Sequence, residues 1–199
     1  MRRWIIVAAL ALAACGQDAQ KQRETSEAYP VVSAPNYDAN IGPTGAAGIT
    51  TAVAMNVEAV RAAAPNYIVA EVDDSVEGDP FKAITLSAGD EEVFRILPTA
   101  DRRHAHAIVT RSTQARSPAG EIIGTAKFAI APPEQVAFCM TEYVDGAPGF
   151  ACSTAMDGTF WRIYRLPEGA NHAGTFEEIE PDLLHDATLA EMRWIAPRV

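Results

Sequence analysis

Two cysteines flank a short stretch, CMTEYVDGAPGFAC, running from Cys139 to Cys152. Thiols at this spacing could close a structural disulfide, supply half of a metal site, or form a redox pair. The redox possibility is the weakest, because reactive dithiols favour CxxC at a helix N-terminus, where the thiolate is stabilised. The metal possibility has a partner set: His104 and His106 in RRHAHAIV lie two apart, so on a strand both rings share a face. With Cys139 and Cys152 they would complete a Cys₂His₂ set of the kind that binds zinc. Zinc needs thiolates, however, and an oxidising compartment removes them. The expectation is therefore a disulfide and no bound cofactor, with His104 and His106 as the candidate metal ligands should the thiols prove free.

Other chemistry is hard to find. The chain has no GxSxG elbow and no HExxH zinc motif, and its four histidines (His104, His106, His172 and His185) show no triad arrangement. The acidic pairs Asp73-Asp74 and Glu91-Glu92 fall at turns or strand ends, where carboxylates are ordinarily solvated. Catalytic residues are therefore not expected, and neither is enzyme activity.

The compartment is written at the other end of the chain. MRRWIIVAALALAACGQD has a basic start, a short apolar run and small residues leading to a cysteine, which is a secretory signal rather than a membrane span. Leu12-Ala13-Ala14-Cys15 looks like a bacterial lipobox, which implies a signal peptide over 1–14 and lipidation of Cys15. Several acyl chains on one cysteine would hold the protein stably at the membrane. Gly16, rather than Asp, after the lipidated residue resembles an outer-membrane sorting pattern. Loss of Arg2 and Arg3 with the signal takes formal charge from −10 to −12. That charge disfavours nucleic acid, which rewards Lys/Arg patches, and leaves two readings open: a basic envelope protein partner, or acidity that simply keeps the domain soluble.

These residues need elements to position them. Residues 15–40 are polar with scattered prolines and read as a tether carrying lipidated Cys15. Residues 41–199 are enough for one core and so for a single domain. IGPTGAAGIT lacks the Lys-Ser/Thr pair of a P-loop and reads as a turn-rich entry to that domain. Asn56 caps a short helix, VEAVRAAA, that Pro65 stops.

Period-two runs then predict strands over 67–73, 81–87, 92–98, 106–112, 121–131, 135–144, 147–156 and 159–166. Their short connectors favour antiparallel pairing. The predicted fold class is α+β, a mostly antiparallel sheet of about seven to eight strands, meander or partly closed, with the short helix packed on it. Beyond about 167 the composition turns polar, and Leu183, Ala187, Ala190 and Trp194 at helical spacing predict a C-terminal helix over 181–194.

The hairpin also has a predicted register. Asp145-Gly146 favours a two-residue type I′ turn. Val144 and Ala147 would then form a hydrogen-bonded pair, with pairing alternating outward to a non-hydrogen-bonded Cys139/Cys152 pair. At about 4.5 Å between Cα atoms, such a pair lies at the short end of the disulfide range.

The order of elements carries one family resemblance. GPTG, a helix ending in PNYIVAEV, then EGDPFKAITLSAGDEEVFRI, GEIIGTAKF, the Cys139…Cys152 hairpin and a closing aromatic strand run from Gly42 to Leu166. This resembles the small proteobacterial lipoproteins typified by the sigma-E-regulated (RpoE-regulated) outer-membrane lipoprotein family. The family has no assigned active site, and the resemblance implies a cell-envelope role linked to envelope stress. Together with the lipobox it frames an outer-membrane-anchored, periplasm-facing lipoprotein that maintains or assembles the envelope by binding. An acidic inhibitor of a basic cell-wall hydrolase such as lysozyme, or a carrier of a small apolar ligand, is the alternative.

Overall fold

Alternation in sequence becomes a sheet because strands gain by burying one face, and the described residues place eight strands in one such sheet. The computed structural model describes residues 36–197 apart from 77, 171 and 173. The expected signal peptide (1–14), lipidated Cys15 and most of the 15–40 tether lie outside the described residues.

The entry is a small hairpin of β1 (Ile41–Gly42) and β2 (Gly45–Ala46). Gly45 has φ 134°, and a Cβ there would stand 2.0 Å from the Ile49 carbonyl oxygen, so the tight turn requires glycine. Helix α1 (Val57–Ala63) follows, with the Asn56 side chain accepting a 2.9 Å hydrogen bond from the Ala59 N–H, as the cap predicted. Its buried residue is Val60, and Ala64 just beyond it is buried too.

The sheet begins with a meander of β3 (Ile68–Val76), β4 (Asp79–Ala88), β5 (Glu91–Pro98) and β6 (Ala105–Thr110). A second meander holds β7 (Phe138–Val144), β8 (Ala147–Ser153) and β9 (Phe160–Arg165). A last strand, β10 (Thr188–Ile195), joins the two, giving the order β3-β4-β5-β6-β10-β9-β8-β7 with every neighbour antiparallel. The sheet is open, with β3 and β7 as its edges. One face carries Leu86, Phe94, Ile96, Ile108, Phe150 and Trp194, packed with residues of the β1–β2 hairpin and α1.

Two expectations are corrected. The stretch 181–194 is not one C-terminal helix: α2 spans only Pro181–Asp186, and the chain then extends into β10. Leu189, Met192 and Trp194 are buried there, so the residues beyond 167 are no appendage but hold the middle of the sheet. The spacing that mimicked a helix is overridden by strands β6 and β9, which offer backbone partners on both sides.

The second correction concerns 121–131, which forms no strand of the sheet. Gly124 turns with φ 81°, its N–H bonds the Leu189 carbonyl, and Phe128–Ile130 is a single turn of 3-10 helix. The other seven predicted strands form, and β10 takes the eighth place.

Candidate functional site

The hairpin comes first, because its register decides the sulfur chemistry. Asp145 and Gly146 have φ 51° and 76°, the left-handed pair that a type I′ turn requires. Val144 opposes Ala147, Tyr143 opposes Pro148 and Cys139 opposes Cys152, the predicted register. Cys139 and Cys152 are disulfide-bonded with Cα atoms 4.2 Å apart. The bond ties edge strand β7 to β8, whose Phe150, Ala151 and Cys152 are fully or nearly buried.

Replacing both cysteines by alanine is expected to cost about 3 kcal/mol, the chain-entropy value for a loop of this size. That corresponds to a fall of roughly 6–12 °C in Tm for a domain of this length. Differential scanning calorimetry of the oxidised protein and the double variant checks it. A shift under about 2 °C would show that the bridge constrains nothing the sheet does not already hold.

The histidines do not join the sulfurs. His104 pairs with Ala54 in an isolated bridge, and His106 sits on β6, three strands from β8 and four from β7. The Cys₂His₂ set is not assembled, and both sulfurs are committed to each other. Cys15 lies outside the described residues.

Two sites escaped the sequence. The first lies on the core face of β9, where Arg162 is only 3% exposed. Its Nε donates to Glu121 at 2.7 Å, its Nη2 donates to the Gln135 side chain, and the guanidinium sits 4.8 Å from the centre of the Phe160 ring. The Ser117 hydroxyl donates a 2.6 Å hydrogen bond to the same Glu121 oxygen. The group pins the strandless 113–136 segment to β9, beside Cys152, the register partner of Arg162. A signal was present: in FWRIYR, Arg162 shares its face with Phe160 and Tyr164, a charge on an apolar side that must find a partner.

The second site is the opposite face of the sheet. Arg95, Val109, Arg193 and Trp161 lie in one row across β5, β6, β10 and β9. Around them runs a chain of ion pairs. Arg165 meets Asp145 at 2.6 Å, Asp145 meets Arg111 at 2.7 Å, and Arg111 meets Glu191 at 2.8 Å. Glu191 also meets Arg193 at 2.6 Å, and Arg193 reaches Glu142 on β7 at 3.0 Å.

Glu191 is 2% exposed, and two guanidiniums flank it. Burial works against the charge on Arg193, but Glu191 and Glu142 outweigh it and raise its pKa. Strands β10 and β7 are three steps apart, roughly 14 Å on a flat sheet. The Arg193–Glu142 contact therefore passes over β9 and β8 on this face.

At one margin of this face a polar cleft of about 590 Å³ is lined by Asp74, Glu92, Arg95, Arg111 and Ser112, among others. Arg95 bonds Asp74 and Glu92, each at 2.8 Å. Burial disfavours the Asp74 charge, yet the hydrogen bonds from Arg95 and from the Ser75 N–H prevail and hold its carboxyl below the ordinary value. Glu91 accepts from the Ser112 hydroxyl and the Gln114 amide. A serine bonded straight to a carboxylate has no imidazole to carry its proton, so this contact is not a triad. The arginines that line the cleft are already met by carboxylates, which makes it a surface for matching charges rather than for developing them.

No family model and no curated protein matches the chain. Among solved structures it is similar to the uncharacterized protein yfeY from Escherichia coli, at 16% sequence identity and a TM-score of 0.57. The match covers 78% of this chain and 99% of that one. At that identity the likeness is one of fold.

Proposed function

We propose that the chain is a lipid-anchored, periplasm-facing protein of the cell envelope, held at the outer membrane, that acts by binding and catalyses no reaction. The observation that carries this reading is the Cys139–Cys152 bond. Structural disulfides persist in oxidising compartments, and the leader ending Leu12-Ala13-Ala14-Cys15 sends the chain to one. The family resemblance over 42–166 points the same way. The binding half rests on the polar face and edges of the sheet, whose charges are arranged in pairs without a nucleophile and its base.

The test is metabolic labelling of the full chain with an alkyne palmitate analogue in a Gram-negative host, followed by membrane fractionation. The wild-type chain is expected to carry the label and to sediment with outer membranes. The Cys15→Ala variant is expected to lose the label. Label retained without Cys15, or a wild-type chain in the cytosol with free thiols, would overturn the proposal.

A further inference from the structure

Edge strands are normally blunted by bulges, proline, lysine or a covering element, and β3 is guarded only by its acidic side chains. It pairs with β4 through nine consecutive residues, Ile68↔Ser87 to Val76↔Asp79, with no bulge. The strand contains no proline and no lysine, and among the described residues nothing pairs with its outer side. Most of it is exposed, whereas the opposite edge β7 is largely half-buried. A long, regular, open edge is a template for another strand.

The hairpin fixes which groups the edge offers. Two residues connect Val76 to Asp79, so that closing pair is hydrogen-bonded and the pairs alternate from there. Val69, Glu71, Asp73 and Ser75 therefore aim their N–H and C=O groups outward. The Ser75 N–H is already taken by the Asp74 carboxylate at 2.8 Å, leaving Val69, Glu71 and Asp73 as open donors.

Side chains then choose the occupant. A second copy is disfavoured: antiparallel self-pairing about Val72 sets Glu71 opposite Asp73 twice, and a shift of two sets Glu71 or Asp73 opposite itself. Like charges directly opposed destabilise a ladder. Within the protein the two carboxylates share one cation, Lys82, whose ammonium lies 2.6 Å from Asp73 and 3.9 Å from Glu71. One negative charge is left over for an incoming strand. On the other face of β3, Ile68 and Val76 are 61% and 58% exposed, with half-buried Val72 between them.

We propose that β3 is a strand-addition site for an extended segment of a partner protein, with basic residues facing Glu71 and Asp73 and apolar residues facing Ala70, Val72 and Asp74. Main-chain hydrogen bonds supply the attachment and the alternate side chains select the segment. This deepens the binding half of the function proposed above and is independent of the anchor. Loss of the palmitate label would leave it standing, and a silent edge would leave the anchor standing.

The probe is a fluorescent peptide, SVKVKVS, titrated at low salt against the full chain purified in detergent. Controls are SVEVEVS and the same composition rearranged as KSVVVSK. SVKVKVS is expected to bind about tenfold tighter than either control, since two opposed charge pairs and the alternation are lost in them. Amide exchange followed by NMR is expected to slow at Val69, Glu71 and Asp73 and to stay unchanged at Ala70, Val72 and Asp74.

Glu71→Pro removes one outward donor while sparing the β4 ladder, and should abolish binding. If that variant fails to fold, Glu71→Gln with Asp73→Asn serves instead, and should erase the preference for the basic peptide. Equal binding of the rearranged peptide, exchange slowed elsewhere on the sheet, or a dimer of the free protein that Glu71→Gln with Asp73→Asn does not strengthen but Glu71→Pro dissolves would each overturn the proposal.

Discussion

A chain that ends at Ala187 is expected to lose cooperative unfolding altogether. The truncation removes β10, which pairs with β6 on one side and β9 on the other. Without it the two meanders have no shared ladder, and β6 and β9 become new edges. Leu189, Met192 and Trp194 go too, each at most 1% exposed. Burying such side chains is worth about 1.5–3 kcal/mol apiece, against a total stability of about 5–15 kcal/mol for a typical domain. Two anchors for the entry hairpin and the 113–136 segment also disappear: the Trp194 Nε1 hydrogen bond to the Pro43 carbonyl, and the Leu189 bonds to Gly124 and Ala126.

Far-UV circular dichroism with thermal melting reads the result directly. The full domain should melt in one transition and the truncated chain in none. A truncated chain that melts cooperatively within a few degrees of the parent would mean the two meanders pair without β10. Trp194→Ala is the graded form, expected to cost about 3–5 kcal/mol through the cavity it leaves.

The second large effect is expected at Arg162. Arg162→Ala should cost about 3–5 kcal/mol, because Glu121 would be left as a charge in a nearly buried site. Much of this cost belongs to the stranded carboxylate rather than to the pair itself. Arg162→Met combined with Glu121→Gln should therefore recover a large share, even though it removes both charges. Urea unfolding of the two single variants and the double variant closes the thermodynamic cycle. If the double variant is as unstable as the sum of the singles, the two residues do not act as a unit and the pairing over Phe160 is incidental. Recovery would show that the single substitution pays for a stranded carboxylate and that the 113–136 segment keeps its place without the ion pair.

Local features were readable wherever a few neighbouring residues settle the geometry. Asn56 at the head of a short apolar-periodic run caps α1 because its oxygen reaches an N–H three residues on. Asp145-Gly146 sets the β7–β8 register because a two-residue turn admits one pairing, and that pairing brings Cys139 opposite Cys152. Seven strands announced themselves by alternation between turn residues. The ion pairs on the open face did not. Arg111 and Glu191 are 80 residues apart in the chain, and each by itself reads as an ordinary solvated charge.

What the residues by themselves determined, then, is a capped helix and one hairpin of known register, because each follows from contacts within a few residues. Tertiary structure alone decided three things: that 188–195 is the central strand and not the end of a helix, that 121–131 is loop, and that Arg162 finds Glu121. In TLAEMRWI the apolar residues satisfy a helical stripe and an interrupted alternation almost equally well. Intrinsic preferences that close are overruled by whatever backbone partners the rest of the molecule presents. Here β6 and β9 present two open edges and a core-facing gap that Leu189, Met192 and Trp194 fill, and a helix could have filled the gap but not paired the edges.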